Sequence, residues 1–118
     1  MQLETRRTGD QLYVRAGEAR LDAAVAIRFK DRFRDALDDA VRRVVLDLSQ
    51  VEFIDSSGLG AVVAVLKLAG PERSFTLAGL NPAVEKVFRL TRMDTVFTIE
   101  PAGGARADAP DAVRAGTG

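Results

Sequence analysis

An acidic residue, two hydroxyls and a glycine stand together at Asp55-Ser56-Ser57-Gly58, followed by Leu59-Gly60. A serine hydroxyl is a phosphoryl acceptor, and a phosphoserine carries about −1.5 to −2 charges at neutral pH. Such charge is best tolerated where a helix begins, because the first turn leaves N–H groups unpaired and the helix dipole is positive there. The preceding run Val44-Val45-Leu46-Asp47-Leu48 reads as a strand, and the residues after Ser57 read as an apolar helix. The serines therefore fall at a helix start, where a phosphate would be tolerated by the fold and visible to a partner. The same residues also suit a plain capping turn, with Asp55 or Ser56 accepting backbone hydrogen bonds and Gly58 and Gly60 permitting close packing. Local physics leaves both readings open.

Other chemistries fit less well. A nucleophile elbow needs Gly-x-Ser-x-Gly and a histidine base. The chain has no histidine, and no glycine lies two residues before Ser56 or Ser57. Without histidine or cysteine there is no imidazole zinc site, no thiolate nucleophile and no disulfide framework. No Gly-x-x-x-x-Gly-Lys-Ser/Thr loop is present. Asp47 and Asp55 alone are thin support for magnesium. The expectation is a non-enzyme with no cofactor and no metal. Seventeen Lys plus Arg balance seventeen Asp plus Glu, so nothing in the charge points to nucleic acid or to an anionic membrane. No run approaches the ~20 apolar residues of a membrane span, and Met1 to Arg7 lacks the apolar core of a signal peptide. A cytoplasmic location is the default.

The elements that must hold the serines follow from periodicity. Leu3 to Arg7 and Gln11 to Ala16 form a hairpin around Thr8-Gly9-Asp10. Asp22 caps a first helix whose apolar stripe runs Val25, Phe29, Phe33, Ala36, Leu37, Ala40 and Val41. The continuous apolar run from Val44 to Leu48 predicts a strand buried on both faces. Val51 to Ile54 is a short extended piece. The second helix runs from Ser57 to about Ala69 and stops at Gly70-Pro71. Ser74 to Ala78 is a strand, Asn81-Pro82 opens a third helix through about Leu90, and Val96 to Ile99 is a last strand. Residues 101–118 hold too little large apolar surface to pack and read as a flexible tail. The architecture is α/β, bordering on α+β, with a four- to five-stranded mixed sheet and three main helices.

The second helix lacks a polar side. Leu59, Val62, Val63 and Leu66 form a face for the sheet, while Ala61, Ala64, Val65 and Leu68 lie opposite as a partner-docking patch. Coverage of that second face by the third helix or the tail is the plainer alternative.

The stretch from Val44 through Asp55-Ser56-Ser57-Gly58 to Gly60 resembles the signature of the STAS domain, and specifically bacterial anti-sigma factor antagonists. Arg20-Leu21-Asp22-Ala23-Ala24 and Leu77-Ala78-Gly79-Leu80-Asn81-Pro82-Ala83-Val84 are similar to that family as well. The resemblance covers about residues 10–100, with the domain taken as 1–100. It implies a sheet with helices on one side and a phosphorylated serine at position 56. Asp22, Asp47 and Asp55 match acidic positions around that site, with Ser57 and Gly58 supporting the helix start. It further implies a partner that is both anti-sigma factor and serine kinase of the histidine-kinase-like ATPase type. The dephosphorylated form binds this partner and frees a sigma factor, and a phosphatase resets the phosphorylated form. A monomer or weak dimer is expected. The alternative within the family is a constitutive scaffold, or an accessory subunit of a lipid or anion transport system. Two positions depart from the pattern: Ala19 and Arg92 stand where glycine is frequent.

Overall fold

The computed structural model describes residues 2–100, so the tail expected over 101–118 lies outside the described residues. In chain order the elements are β1 (Leu3–Thr8), β2 (Gln11–Ala16), β3 (Arg20–Leu21), α1 (Ala23–Ala36), β4 (Arg43–Asp47), β5 (Phe53–Ile54), α2 (Ser56–Ala69), β6 (Ser74–Ala78), α3 (Pro82–Leu90) and β7 (Thr98–Ile99). A 3₁₀ turn at Met93–Thr95 precedes the last strand.

Five strands form one mixed sheet in the order β1-β2-β4-β6-β7. The β1–β2 hairpin is antiparallel and the other pairings are parallel. One row of the register runs Tyr13, Val45, Thr76 and Thr98. The fold class expected from the sequence is the one observed.

Side chains alternate across this sheet. Leu12, Val14, Ala16, Val44, Leu46, Phe75 and Leu77 are buried and form one core with Phe29 and Phe33 of α1, Val62 and Val65 of α2, and Val84 and Phe88 of α3. Ring contacts link the layers. Phe33 lies 6.1 Å from Phe75, Phe75 lies 5.9 Å from Phe97, and Phe97 meets Phe88 edge-on at 5.7 Å. Each such pair adds about 0.5–1.5 kcal/mol beyond its area burial. The three helices thus share one side of the sheet.

The opposite face is open, which corrects the expectation for β4. Val45 and Asp47 are only half-buried while Val44 and Leu46 are fully buried. An apolar Val-Val-Leu run hides a period-2 pattern when the outward residue is also aliphatic.

Two further boundaries differ from the periodicity. The helix α1 ends at Ala36 rather than continuing through Ala40 and Val41. Asp38 interrupts it: its carboxylate accepts from the Ala40 amide at 2.8 Å and pairs with Arg7 at 2.6 Å. Arg73 then clamps the loop, donating to the carbonyls of Val41, Ala69 and Asp38 at 2.9, 2.6 and 2.9 Å. At the other end of the chain, Val96 and Phe97 donate to the Met93 carbonyl, which shortens the last strand to Thr98–Ile99.

Candidate functional site

The site is assembled by the small β3–β5 ladder, in which Arg20 pairs with Phe53 and Leu21 with Ile54 in parallel. Each strand runs straight into a helix. Asp22 follows β3 and caps α1, its Oδ1 accepting from the Ala24 amide at 3.1 Å. Asp55 follows β5 and caps α2, its Oδ1 accepting from the Gly58 amide at 2.9 Å. Because the strands are parallel and in register, two acid-capped helix starts stand side by side. The Asp55 amide donates to the Leu21 carbonyl at 3.3 Å and ties them together.

Ser56 and Ser57 are the first two residues of α2, and both are exposed. Asp55 takes the next two amides: its side chain holds Gly58 and its carbonyl holds Leu59 at 2.8 Å. Among the described residues, neither serine hydroxyl and neither serine amide has a hydrogen-bond partner. Of the two capping readings left open by the sequence, the carboxylate of Asp55 is the cap and Ser56 is free. Gly58 is required here on steric grounds. A Cβ at that position would overlap the Leu21 carbonyl oxygen and press on the Ile54 side chain at 3.0 Å.

The structure adds two residues to the site that sequence reasoning missed. Arg20 reaches Asp22 Oδ2 with its Nε at 3.3 Å, and its guanidinium lies 4.2 Å from the centre of the Phe53 ring. Phe53 is 41% exposed, so an aromatic face and a cation sit at the cap end of both helices. A two-residue strand carries no periodic signal, and only the nearness of Arg20 to Asp22 in sequence could have pointed to it.

Asp47 bonds to none of these residues. It lies on the open face of the sheet, where Tyr13 donates its hydroxyl to Oδ2 and the Ser49 amide donates to Oδ1 at 2.8 Å. Half-burial pushes this carboxyl up, but the bonds from Tyr13 and Ser49 outweigh it and hold the group below the usual aspartate range. Its work is to bind β2 to β4 and to shape the turn after β4. Gly79 leaves room for it, since a Cβ there would come within 2.8 Å of Asp47 Oδ1.

The expected docking patch on α2 is also corrected. The buried arc runs Gly58, Ala61, Val62, Val65 and Ala69. Ala61 and Val65 are 3% and 0% exposed and belong to the core, because α1 packs along that flank and covers them. Of the four residues assigned to docking, Ala64 is half-buried and Leu68 is 41% exposed. Leu59, Val63 and Leu66, expected against the sheet, pack only partly on the core.

The architecture is a five-stranded mixed sheet helical on one face, with an acid-capped Ser-Ser-Gly helix start beside a second acid cap. The sequence model of the family described as "Mlab, STAS domain" matches residues 3–100. The chain belongs to the STAS domain family. An anti-sigma F factor antagonist of Paenibacillus polymyxa is 32% identical over 88 residues, covering 70% of this chain and 73% of that one. A Thermotoga maritima relative is 37% identical over 68 residues, and the match spans 60% of its length. The crystal structure of an anti-sigma factor antagonist from Mycobacterium paratuberculosis shares the fold, with a TM-score of 0.77, 24% identity and 86% coverage of each chain. So does SpoIIAA, at TM-scores of 0.64 and 0.62 to its unphosphorylated and phosphorylated forms, with 23% and 20% identity. Those matches cover 91% of this chain, and 93% and 98% of the SpoIIAA chains.

Proposed function

We propose that this chain is an anti-sigma factor antagonist in which Ser56 is a phosphorylation switch. The observation that carries the reading is the free, exposed Ser56 hydroxyl at the first position of α2, beside two unpaired backbone amides. The Paenibacillus relative named as an antagonist supports the partner class. The existence of SpoIIAA in both phosphorylated and unphosphorylated forms supports the modification. A constitutive scaffold would not require an unpartnered hydroxyl at this position.

On this reading the unphosphorylated chain, a monomer or weak dimer in the cytoplasm, binds an anti-sigma factor that is also a serine kinase of the histidine-kinase-like ATPase type. Binding frees the sigma factor. The kinase then places phosphate on Ser56, and a phosphatase removes it. Catalysis belongs to the kinase, which supplies ATP, magnesium and base.

The physical basis is charge at an interface rather than a change of fold. The amides of Ser56 and Ser57 and the α2 dipole offset part of the new charge, so the helix start survives. Asp22 and Asp55 keep the surroundings acidic, and Arg20 is already engaged by Asp22. A partner shaped for a neutral hydroxyl must then desolvate a dianion. A loss of about 2.7 kcal/mol corresponds to about a hundredfold weaker binding. Calorimetric titration of the cognate anti-sigma factor tests this. Ser56→Ala should bind within about threefold of wild type and Ser56→Asp at least about tenfold more weakly. Equal affinity of the two variants would overturn the electrostatic switch.

A further inference from the structure

A second feature lies along the same two helices, further from their caps. Between α1 and α2 runs an open groove of about 510 Å³, lined by Ile27, Lys30, Asp31 and Arg34 on one side and Ala64, Lys67 and Leu68 on the other. Its apolar parts are unusually open: Ile27 is 67% exposed and Leu68 is 41% exposed. Its charges are unbalanced. Asp31 is engaged by Arg34 at 2.5 Å, whereas among the described residues neither Lys30 nor Lys67 has an ion-pair partner. The groove therefore presents two aliphatic side chains flanked by two uncompensated ammonium groups.

We infer that the groove between α1 and α2 is a docking site for an acidic, amphipathic helical segment of a protein partner. The shape fits, because two helices lying side by side leave a furrow that accepts the side-chain ridge of a third. An apolar ridge of the incoming helix packs between Ile27 and Leu68. Carboxylates one turn to either side reach Lys30 and Lys67. Ala64, the small residue on the floor, lets the incoming helix come close.

The charge pattern disfavours a second copy as the occupant. A second copy of this chain placed groove to groove would set Lys30 and Lys67 against their own kind, the like-charge arrangement that symmetric interfaces avoid. Ser57 lies two turns above Ala64 on the same flank of α2. Docking here does not require phosphate on Ser56, so the inference stands or falls separately from the switch.

The test uses the full chain, labelled with ¹⁵N, and a designed helical peptide of about 15 residues. The peptide carries leucines at i, i+3, i+4 and i+7 with glutamates elsewhere, and its counterpart carries lysines in place of the glutamates. The acidic peptide should shift the amides of Ile27, Lys30, Arg34, Ala64, Lys67 and Leu68 saturably below about 1 mM. Lys30→Glu with Lys67→Glu should weaken this at least about tenfold, while Lys30→Gln with Lys67→Gln should weaken it less. Unchanged urea midpoints show that both variants are folded. The inference is overturned by no saturable shift, by equal binding of the lysine peptide, or by shifts confined elsewhere. Concentration-dependent shifts of these amides without peptide would assign the face to a second copy. Co-sedimentation with phosphatidylglycerol vesicles that moves the same amides would assign it to membrane. If deleting 101–118 moves them without peptide, the groove belongs to the chain's own C-terminal segment. Each of these three results overturns the partner-helix assignment.

Discussion

The backbone carbonyl of Leu21 occupies the space that a side chain on residue 58 would need, so Gly58 and Leu21 are in direct backbone contact. That contact fixes the start of α2 against β3 and, through the adjoining Asp22, against the start of α1. The serines are placed by a steric constraint between segments more than thirty positions apart in sequence.

Gly58→Ala should therefore destabilise by about 1–3 kcal/mol, the usual range for overpacking a core site. Gly60, one turn into the same helix, has nothing within 4 Å of a built Cβ. Gly60→Ala should raise stability by about 0.5–1 kcal/mol through helix propensity alone. Urea unfolding of the two variants measures the contrast. Similar effects of the same sign would remove the special role of the Leu21 contact.

Asp55 acts on the fold as a hydrogen-bond acceptor, not chiefly as a charge. Asp55→Ala should cost about 1 kcal/mol, while Asp55→Asn, which still accepts from the Gly58 amide, should lose much less. Thermal unfolding of both variants decides this. An asparagine variant as unstable as the alanine one would show that the negative charge itself is needed.

Tyr13 is the chain's sole tyrosine. Burial, with the hydrogen bond and charge of Asp47 adding to it, pushes its hydroxyl up to about 12, against an ordinary value of about 10. A group whose folded pKa is raised stabilises the fold fully below its unfolded pKa and loses that contribution as pH rises through the folded one. Tyr13 should thus support the fold to about pH 10 and cease to do so by about pH 12. Asp47, held low, works in the opposite direction: its contribution is present above the ordinary aspartate pKa and is lost as pH falls through the lowered one. Ultraviolet titration of the tyrosinate band should place Tyr13 near 12, and Asp47→Asn should move it part of the way back. A normal tyrosine titration in the wild type would remove the Tyr13–Asp47 bond from the account.

Arg92 has φ +64, the left-handed region, and no other described non-glycine residue has positive φ. This backbone favours glycine at position 92, whereas Ala19, with no positive φ, needs none. Left-handed backbone costs a side-chain-bearing residue about 1–2 kcal/mol. Arg92→Gly should raise the midpoint of thermal unfolding by several degrees, since about 1 kcal/mol shifts a domain of this size by roughly 4–8 °C. A lower midpoint would mean that the arginine side chain contributes more than its backbone strain costs.

The parts of this protein legible in the sequence are those set by local rules. Asp22, Asp55 and Asn81 cap helices in the structure, and capping depends on residues within one turn. The strand Ser74–Ala78 and the hairpin follow alternation and a Gly9 turn at φ +61. What was not legible depends on distant partners. The β3–β5 ladder is two residues long and exists only because Leu21 and Ile54 meet. Asp47 looked like part of the serine site because it matches an acidic position around the motif in the resembled family, yet Tyr13, thirty-four positions away, claims it on the open face of the sheet. Ala61 and Val65 looked free because nothing local reveals that α1 lies over them.

The central claim is that Ser56 is the switch. Incubating the chain with the anti-sigma factor kinase proposed as its partner and magnesium ATP, followed by site-resolved mass spectrometry, tests it most directly. The account predicts stoichiometric phosphate on Ser56 and none on Ser57, with incorporation abolished in Ser56→Ala. Stoichiometric phosphorylation of Ser56→Ala, or phosphate on Ser57 in the wild type, would contradict it.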